Sequence, residues 1–411
     1  MKKLSALAGL AVAIGVGAGV HRSGKLDTIP PRIEVDLPDG PLSGDVQVEI
    51  SVVDTAPGVA RVHVSLDGGP PEVLPLDGTG HASWTWKGGP NRQPGPHTLT
   101  IDAVDNAWQP NAAQHSVARI TDDHPPVLRI KIFPDQPPQG TVAAIYVWSD
   151  EPLNTSQVDG LDQSWPLEPT GDGTVYRALL GVGVGASNAP APLHLTATDH
   201  LGNQVKCTVP IDVVATDFPR GGYIRLSGKQ VKARKDVEAL QAMRAARTAA
   251  YTHIDPVQHW HGAVTRPVTG RRTSRFGRYR TYSDGRKKHH LGTDLANITG
   301  TPVHAALAGV VRAAGWQHLF GNAVIVHHGQ GLTTSYNHLS ALDVEVGQAV
   351  DEGQQVGKLG STGQSTGPHL HWGMQVGEVE VDPERWPDHG FSVGALQLTA
   401  EDGRPCAVTN P

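Results

Sequence analysis

From residue 28 onward the chain is written mainly in short alternations of apolar and polar positions. Val46-Gln47-Val48-Glu49-Ile50-Ser51-Val52 and Ala60-Arg61-Val62-His63-Val64-Ser65-Leu66 have period two, the spacing of a strand with one buried face. Asp67-Gly68-Gly69 follows the second run and predicts a hairpin turn. Two stretches recur. Ile29-Pro30-Pro31-Arg32-Ile33-Glu34-Val35 is echoed by His124-Pro125-Pro126-Val127-Leu128-Arg129-Ile130, and Leu99-Thr100-Ile101-Asp102-Ala103-Val104-Asp105 by Leu193-His194-Leu195-Thr196-Ala197-Thr198-Asp199. The offset of about 95 residues is the size of one immunoglobulin-like sandwich. Residues 28–121 and 122–218 are therefore expected to be two Ig-like modules, with Asp105-Asn106 and Asp199 to Asn203 forming the turn before each closing strand. Neither holds a cluster with catalytic spacing, so both read as spacers or as surfaces on which a protein partner could dock.

The pattern changes over residues 219–262. Lys229 to Ala250 is alanine-rich and carries Lys229, Lys232, Arg234, Lys235, Arg244 and Arg247, which predicts a basic helical linker. Val237, Leu240 and Met243 recur at helical spacing as a narrow docking face, with Trp260 as part of the contact. A solvated linker helix and attraction to an anionic cell envelope both account for the charge. Residues 263–390 return to short alternating segments such as Ala323-Val324-Ile325-Val326 and Val379-Glu380-Val381. Residues 391–411 read as a C-terminal tail with one further strand, Ala395 to Leu398.

Composition agrees with this mostly β reading. The 411 residues include 48 Gly and 32 Pro, with 38% hydrophobic and only 18% charged positions, a bias toward strands and turns spread over several domains. A net charge of −6 decides nothing about nucleic acid, and no nucleic-acid partner is expected. Met1-Lys2-Lys3 precedes an apolar run from Leu4 to Val20, so residues 1–22 read as a signal peptide or a retained N-terminal membrane anchor. Either way the remainder is expected to be exported: periplasmic, envelope-bound or secreted. Cys207 and Cys406 are too far apart for a zinc knuckle. In an oxidising compartment they could pair and tie the tail to the second module.

The chemistry lies in the last part of the chain. In an extended Pro368-His369-Leu370-His371-Trp372, the two histidines share one face and Leu370 and Trp372 the other. His290-Leu291-Gly292-Thr293-Asp294-Leu295-Ala296, read as a strand, puts His290, Gly292 and Asp294 together. The glycine leaves a gap the size of a metal ion, and Leu291, Thr293 and Leu295 face the core. A helix would also align His290 with Asp294. Tyr336-Asn337-His338 supplies a further imidazole on an alternating stretch. Two His and one Asp make a donor set that suits zinc.

These motifs resemble the LytM/lysostaphin family of zinc metallopeptidases, which cleave peptide bonds in bacterial peptidoglycan. The resemblance runs from about Pro267 to Trp386. Thr273-Ser274-Arg275-Phe276-Gly277 is similar to the family's opening strand, His290 to Ala296 to its His-x-Gly-x-Asp-x-Ala signature, and Gly300-Thr301-Pro302-Val303 follows in order. Tyr336-x-His338-Leu339-Ser340, the turns Gly347-Gln348 and Gly353-Gln354, and Ser365-Thr366-Gly367-Pro368-His369-Leu370-His371 complete it. His289 adjoins His290, but the family spacing selects His290.

The resemblance implies an antiparallel β peptidase domain of the LytM type (a duplicated hybrid motif). It also implies one zinc ion held by His290, Asp294 and His371, with His338 and His369 as catalytic imidazoles whose roles stay undivided. Tyr336, on the same face as His338 if the segment is extended, is a substrate-pocket candidate. The expected activity is endopeptidase cleavage of peptidoglycan cross-bridges. The alternatives are a non-catalytic regulator of another wall hydrolase and an adhesion protein with a vestigial peptidase. Basic residues from Arg271 through Lys288 suit a groove for an acidic polymer, and the linker helix could hold that groove shut.

Overall fold

In the strand Val46–Val53, Val48, Ile50 and Val52 are buried while Gln47 and Glu49 are exposed, so the period-two pattern becomes two faces. In this computed structural model residues 27–55, 58–88, 94–170, 173–253 and 255–406 are described. The expected signal or anchor segment lies outside them. Among the described residues no helix is long and apolar enough to cross a membrane. The chain is mostly antiparallel β and divides into two units between His124 and Pro125.

In the first unit, Val46–Val53 lies between Arg32–Asp36 and His81–Trp86. A second sheet, in the order Glu72–Val73, Val59–Leu66, Gly95–Asp105, Ala112–Thr121, supplies Val62, Val64, Leu99 and Ile101 to the same core. Asp67 and Gly68 have φ of 52° and 67°, the two positive values of a primed hairpin turn.

The second unit begins with another pair of sheets. Gln163–Pro166, Leu153–Gly160, Ala191–Asp199 and Gln204–Ile211 share a core with Glu168–Thr170, Val175–Val182, Thr141–Ser149, Leu128–Phe133 and Arg404–Pro405. The last of these strands comes from the C-terminal tail: Arg404 pairs with Ile130, and Cys406 is disulfide-bonded to Cys207. The expected tail strand at Ala395 to Leu398 is not formed. Val393–Leu396 is instead one helical turn. At spacing i, i+3 Val393 and Leu396 reach the same apolar surface, so the short alternation suits a helical turn equally well. Mass spectrometry of the unreduced protein is expected to give one cross-linked peptide holding both cysteines, and two free thiols would remove the staple. A disulfide closing a long loop contributes about 2–4 kcal/mol, so Cys406→Ser is expected to lower the urea midpoint of this unit.

Thr141–Ser149 is covered on both faces. Ala143, Ile145 and Val147 point into the sandwich, while Val142, Ala144 and Tyr146 pack with Trp260, Leu332, Met374, Val376 and Phe391. A continuous apolar run is the signature of such a strand. The second module is therefore fused to the C-terminal region rather than free as a spacer. Arg177, 1% exposed, crosses the junction and donates to Phe391 O at 2.8 Å and to the Oε1 atoms of Gln258 and Gln330 at 2.6 Å.

The linker forms two helices, Gly228–Ala233 and Val237–Tyr251, because Asp236 caps the second by accepting from Ala239 N. Its docking face differs from the expected one. Val237 is 63% exposed, and the covered edge ends in Arg247, Ala250 and Tyr251. The Arg247 guanidinium lies 3.9 Å from the Phe320 ring centroid. Trp260 is fully buried, donating to Gly390 O and edge-on to Trp386.

An eight-stranded sheet positions the site. Its order is Arg271–Ser274, Thr293–Ala296, Leu370–Val376, Leu332–Leu339, Gly321–Gly329, Gly309–Gln317, Ala349–Val350, with Val379–Val381 pairing off Leu370–Val376. Each Gly-Gln turn closes the same way: Gln348 Oε1 accepts from Glu345 N, and Gln354 Oε1 from Asp351 N.

Candidate metal centre

Three adjacent strands bring one row of polar side chains together. Asp294 lies opposite His371, and His371 opposite Asn337, in register. Leu370 and Trp372 are buried in the core behind, which turns His369 and His371 to the other face as the alternation requires. Asn337 Nδ2 donates to His371 O and fixes that row.

His290 arrives differently from the strand reading. The strand begins only at Thr293, and His290 reaches in from the preceding loop. Thr293 and Leu295 are fully buried, but Leu291, expected in the core, is 37% exposed. Without strand geometry at 290–292 nothing forces Leu291 inward. The gap at Gly292 is filled by a side chain: a Cβ there would lie 2.6 Å from His371 Cε1 and 2.7 Å from Trp372 O. Gly292→Ala is therefore expected to displace the His371 ring and weaken zinc binding by about 10–100-fold. Competition with a chelating dye measures this, and unchanged affinity would contradict the packing argument.

The three candidate ligands converge. Asp294 Oδ1 is 3.0 Å from His290 Nε2 and 2.9 Å from His371 Nδ1, and the two ring nitrogens are 3.0 Å apart. Tetrahedral bonds of about 2.0–2.1 Å set ligand atoms about 3.3 Å apart, so small outward movements admit an ion. The donor set of two imidazoles and a carboxylate fits zinc on the same ground. The surroundings fix each donor. His290 Nδ1 faces Arg275 O at 3.1 Å and Ser274 Oγ at 3.3 Å, so its proton sits there and Nε2 is free toward the centre. Arg280 Nη2 donates to Asp294 Oδ2 at 2.8 Å, leaving Oδ1 for the centre. Burial would push the Asp294 carboxyl up, but the His290 and His371 rings beside it outweigh that and hold the group well below the usual carboxylate range.

His338 and His369 flank this centre with ring centroids 4.9 Å apart. His338 Nδ1 meets Thr362 O at 2.8 Å, and His369 Nδ1 meets Gly367 O at 2.8 Å and Ser365 Oγ at 3.1 Å. A carbonyl only accepts, so both rings carry their proton on Nδ1 and keep an Nε2 lone pair. His369 Nε2 lies 3.8 Å from Asp294 Oδ1. Burial pushes His338 down to about 3 and His371 down to about 4, so both are neutral near pH 7.

Tyr336 does not line the site. It is fully buried in the core, with its hydroxyl accepting from Ala306 N at 2.7 Å and from Thr334 Oγ1 at 2.9 Å. The shared face with His338 is lost because the pairing register shifts between Val324 and Asn322 and His338 takes φ of 67°. Such a bulge re-aims the side chain.

The centre opens into a cavity of about 540 Å³ lined also by Leu226, Gln230, Arg234, Arg278, Tyr282 and Phe320. Arg280, Phe320 and the carbonyls of Arg275, Thr362 and Gly367 were not singled out by motif reading. Only the basic run from Arg271 through Lys288 hinted at Arg278 and Arg280.

Residues 288–383 match Peptidase family M23. The chain is 40% identical over 99 residues to peptidoglycan DD-endopeptidase ShyC of Vibrio cholerae serotype O1, covering 24% of this chain and 23% of that protein. It is 44% identical over 94 residues to DD-carboxypeptidase/endopeptidase Mpg of Neisseria meningitidis serogroup B, covering 23% and 22%. The chain thus spans less than a quarter of the length of these relatives. The catalytic domain of lysostaphin from Staphylococcus simulans is 34% identical, with 28% of this chain and 90% of that one covered at a TM-score of 0.26. With the His-x-Gly-x-Asp and His-x-His segments both inside the matched stretch, the C-terminal part of this chain is a domain of peptidase family M23.

Proposed function

We propose that the chain is a zinc-dependent endopeptidase that hydrolyses peptide cross-bridges of bacterial peptidoglycan outside the cytoplasm. The observation that carries this is the meeting of His290 Nε2, Asp294 Oδ1 and His371 Nδ1 within 3.0 Å of one another, beside two imidazoles whose Nδ1 atoms each face a backbone carbonyl at 2.8 Å. The names of the relatives support the substrate. The Cys207–Cys406 bond suits an oxidising compartment.

His290, Asp294 and His371 would hold the ion. When bound, zinc supplies a Lewis acid and lowers the pKa of a water molecule to about 7. The chain's own residues do the rest. His369 or His338 accepts the proton of the attacking water at Nε2, and the imidazolium so formed stabilises the tetrahedral oxyanion or protonates the leaving amine. The anchored Nδ1 protons keep both rings in the basic orientation throughout. The first unit and the second module are read as surfaces that place this groove against the wall or against a partner.

Incubation with purified peptidoglycan, followed by chromatography and mass spectrometry of the fragments, tests the reading. Cross-linked dimers are expected to fall to monomers, with the reaction stopped by a chelator and restored by zinc. Dimers that persist, while a second wall hydrolase is stimulated, would favour the regulator instead.

A further inference from the structure

We propose that Arg234, which lies before the M23 domain, completes the substrate groove and selects peptides with a free carboxylate beside the scissile bond. This rests on the endopeptidase reading and names what that site recognises. The cavity at the metal centre is lined by Arg234, Arg278 and Arg280, and its one acidic residue is Asp294. Arg280 is already committed to Asp294 Oδ2. Arg234 and Arg278 have no carboxylate at ion-pair distance among the described residues, and the Nε of each is buried without a hydrogen-bond partner. Asp284, whose charge acts on Arg234, is itself engaged by Arg286 Nε at 2.9 Å. Both side chains are half-buried, and a ligand carboxylate would supply such a guanidinium with a close opposite charge and acceptors matched to its planar fork.

The position of Arg234 is built. It is the C-cap residue of Gly228–Ala233, whose start is fixed by the reciprocal Ser227–Gln230 capping box. Gln230 Nε2 donates to Ser365 O, Gln364 Nε2 donates to Gln230 O, and His318 Nε2 meets Ala233 O at 2.6 Å. The helix is therefore fastened to the loop that anchors His369 through Ser365 and Gly367. Tyr282 lies under the guanidinium, 5.1 Å from ring centroid to Cζ, and holds it by a cation–π contact. The linker thus forms a wall of the groove.

The test uses the full chain and two cross-linked peptides that differ only in a free or an amidated carboxylate next to the bond cut. The wild type is expected to favour the acid in kcat/KM by about tenfold or more. In Arg234→Gln that ratio falls toward one through KM, and Arg234→Lys lies between. Lys235→Gln, exposed and one residue on, is expected to leave the ratio unchanged. Equal loss on both peptides in Arg234→Gln would overturn the proposal, and faster cleavage of both would overturn it in favour of a linker that occludes the groove. Calorimetric binding of the same peptides separates the two readings. Tighter binding of the acid by wild type alone, without turnover, upholds the selection and defeats the endopeptidase. Turnover without any acid preference does the reverse.

Discussion

Asp294→Ala is expected to empty the metal centre, taking zinc from one ion per chain to nearly none and activity down by on the order of a thousandfold or more. The carboxylate does two things at once. Oδ1 faces both imidazoles at 2.9–3.0 Å, and Oδ2 neutralises Arg280 at 2.8 Å. Truncation removes a ligand and leaves the Arg280 cation largely buried beside the site, its side chain 13% exposed. A neighbouring cation repels a dication, so the loss exceeds that of a simple missing donor. His371→Ala is expected to show the same joint loss of metal and activity without stranding a charge. Elemental analysis and turnover on the same samples check both variants, with circular dichroism as the folding control. Retention of zinc by either variant would contradict the ligand assignment.

His338→Ala and His369→Ala are expected to separate metal from rate. Both rings are held through Nδ1 by backbone carbonyls at 2.8 Å, and neither belongs to the converging ligand triangle. Each variant should keep one zinc per chain and lose rate by about a hundredfold or more, the usual contribution of a positioned proton-transfer group. On the proposed shared proton path, the double variant should lose far less than the product of the single effects. If His338→Ala releases zinc, the division between ligands and catalytic groups is wrong.

Much of this site is legible in the sequence because its spacing is local. A His-x-His on a strand puts two imidazoles on one face whatever else surrounds them, and Leu370 and Trp372 mark the other face as core. The mostly β architecture is legible for the same reason, since period two in Val46 to Val52 needs only a strand and a covered face. What the pattern hides are features that need a partner from elsewhere. Arg280 is one cation among many between Arg271 and Lys288, and only the fold shows that it reaches Asp294. Arg247 belongs to a helix whose composition suggests solvent, yet it is half-buried with its guanidinium over Phe320. The Cys207–Cys406 bond joins positions 199 residues apart, and the sequence offers it only as a pairing open to two cysteines in an oxidising compartment.

The errors have local physical causes as well. Tyr336 and His338 are two residues apart, but a bulge and one positive φ break the alternation between them. Leu291 is exposed because the chain at His290 is loop, not strand. The second module reads as a spacer until the continuous run Val142 to Val147 is seen to need cover on both faces, which Trp260, Met374 and Phe391 provide. The strand called for in the tail is a helical turn resting on that same surface.

The central claim is that two imidazoles and one carboxylate, His290, Asp294 and His371, hold a single zinc ion on which hydrolysis depends. X-ray absorption at the zinc edge, on active purified full-length protein of known metal content, tests it most directly. The expected spectrum shows one zinc per chain with nitrogen and oxygen donors at about 2.0–2.1 Å and the outer-shell scattering of two imidazoles. Full activity in protein that holds no metal, or a zinc spectrum unchanged in His371→Ala, would contradict it.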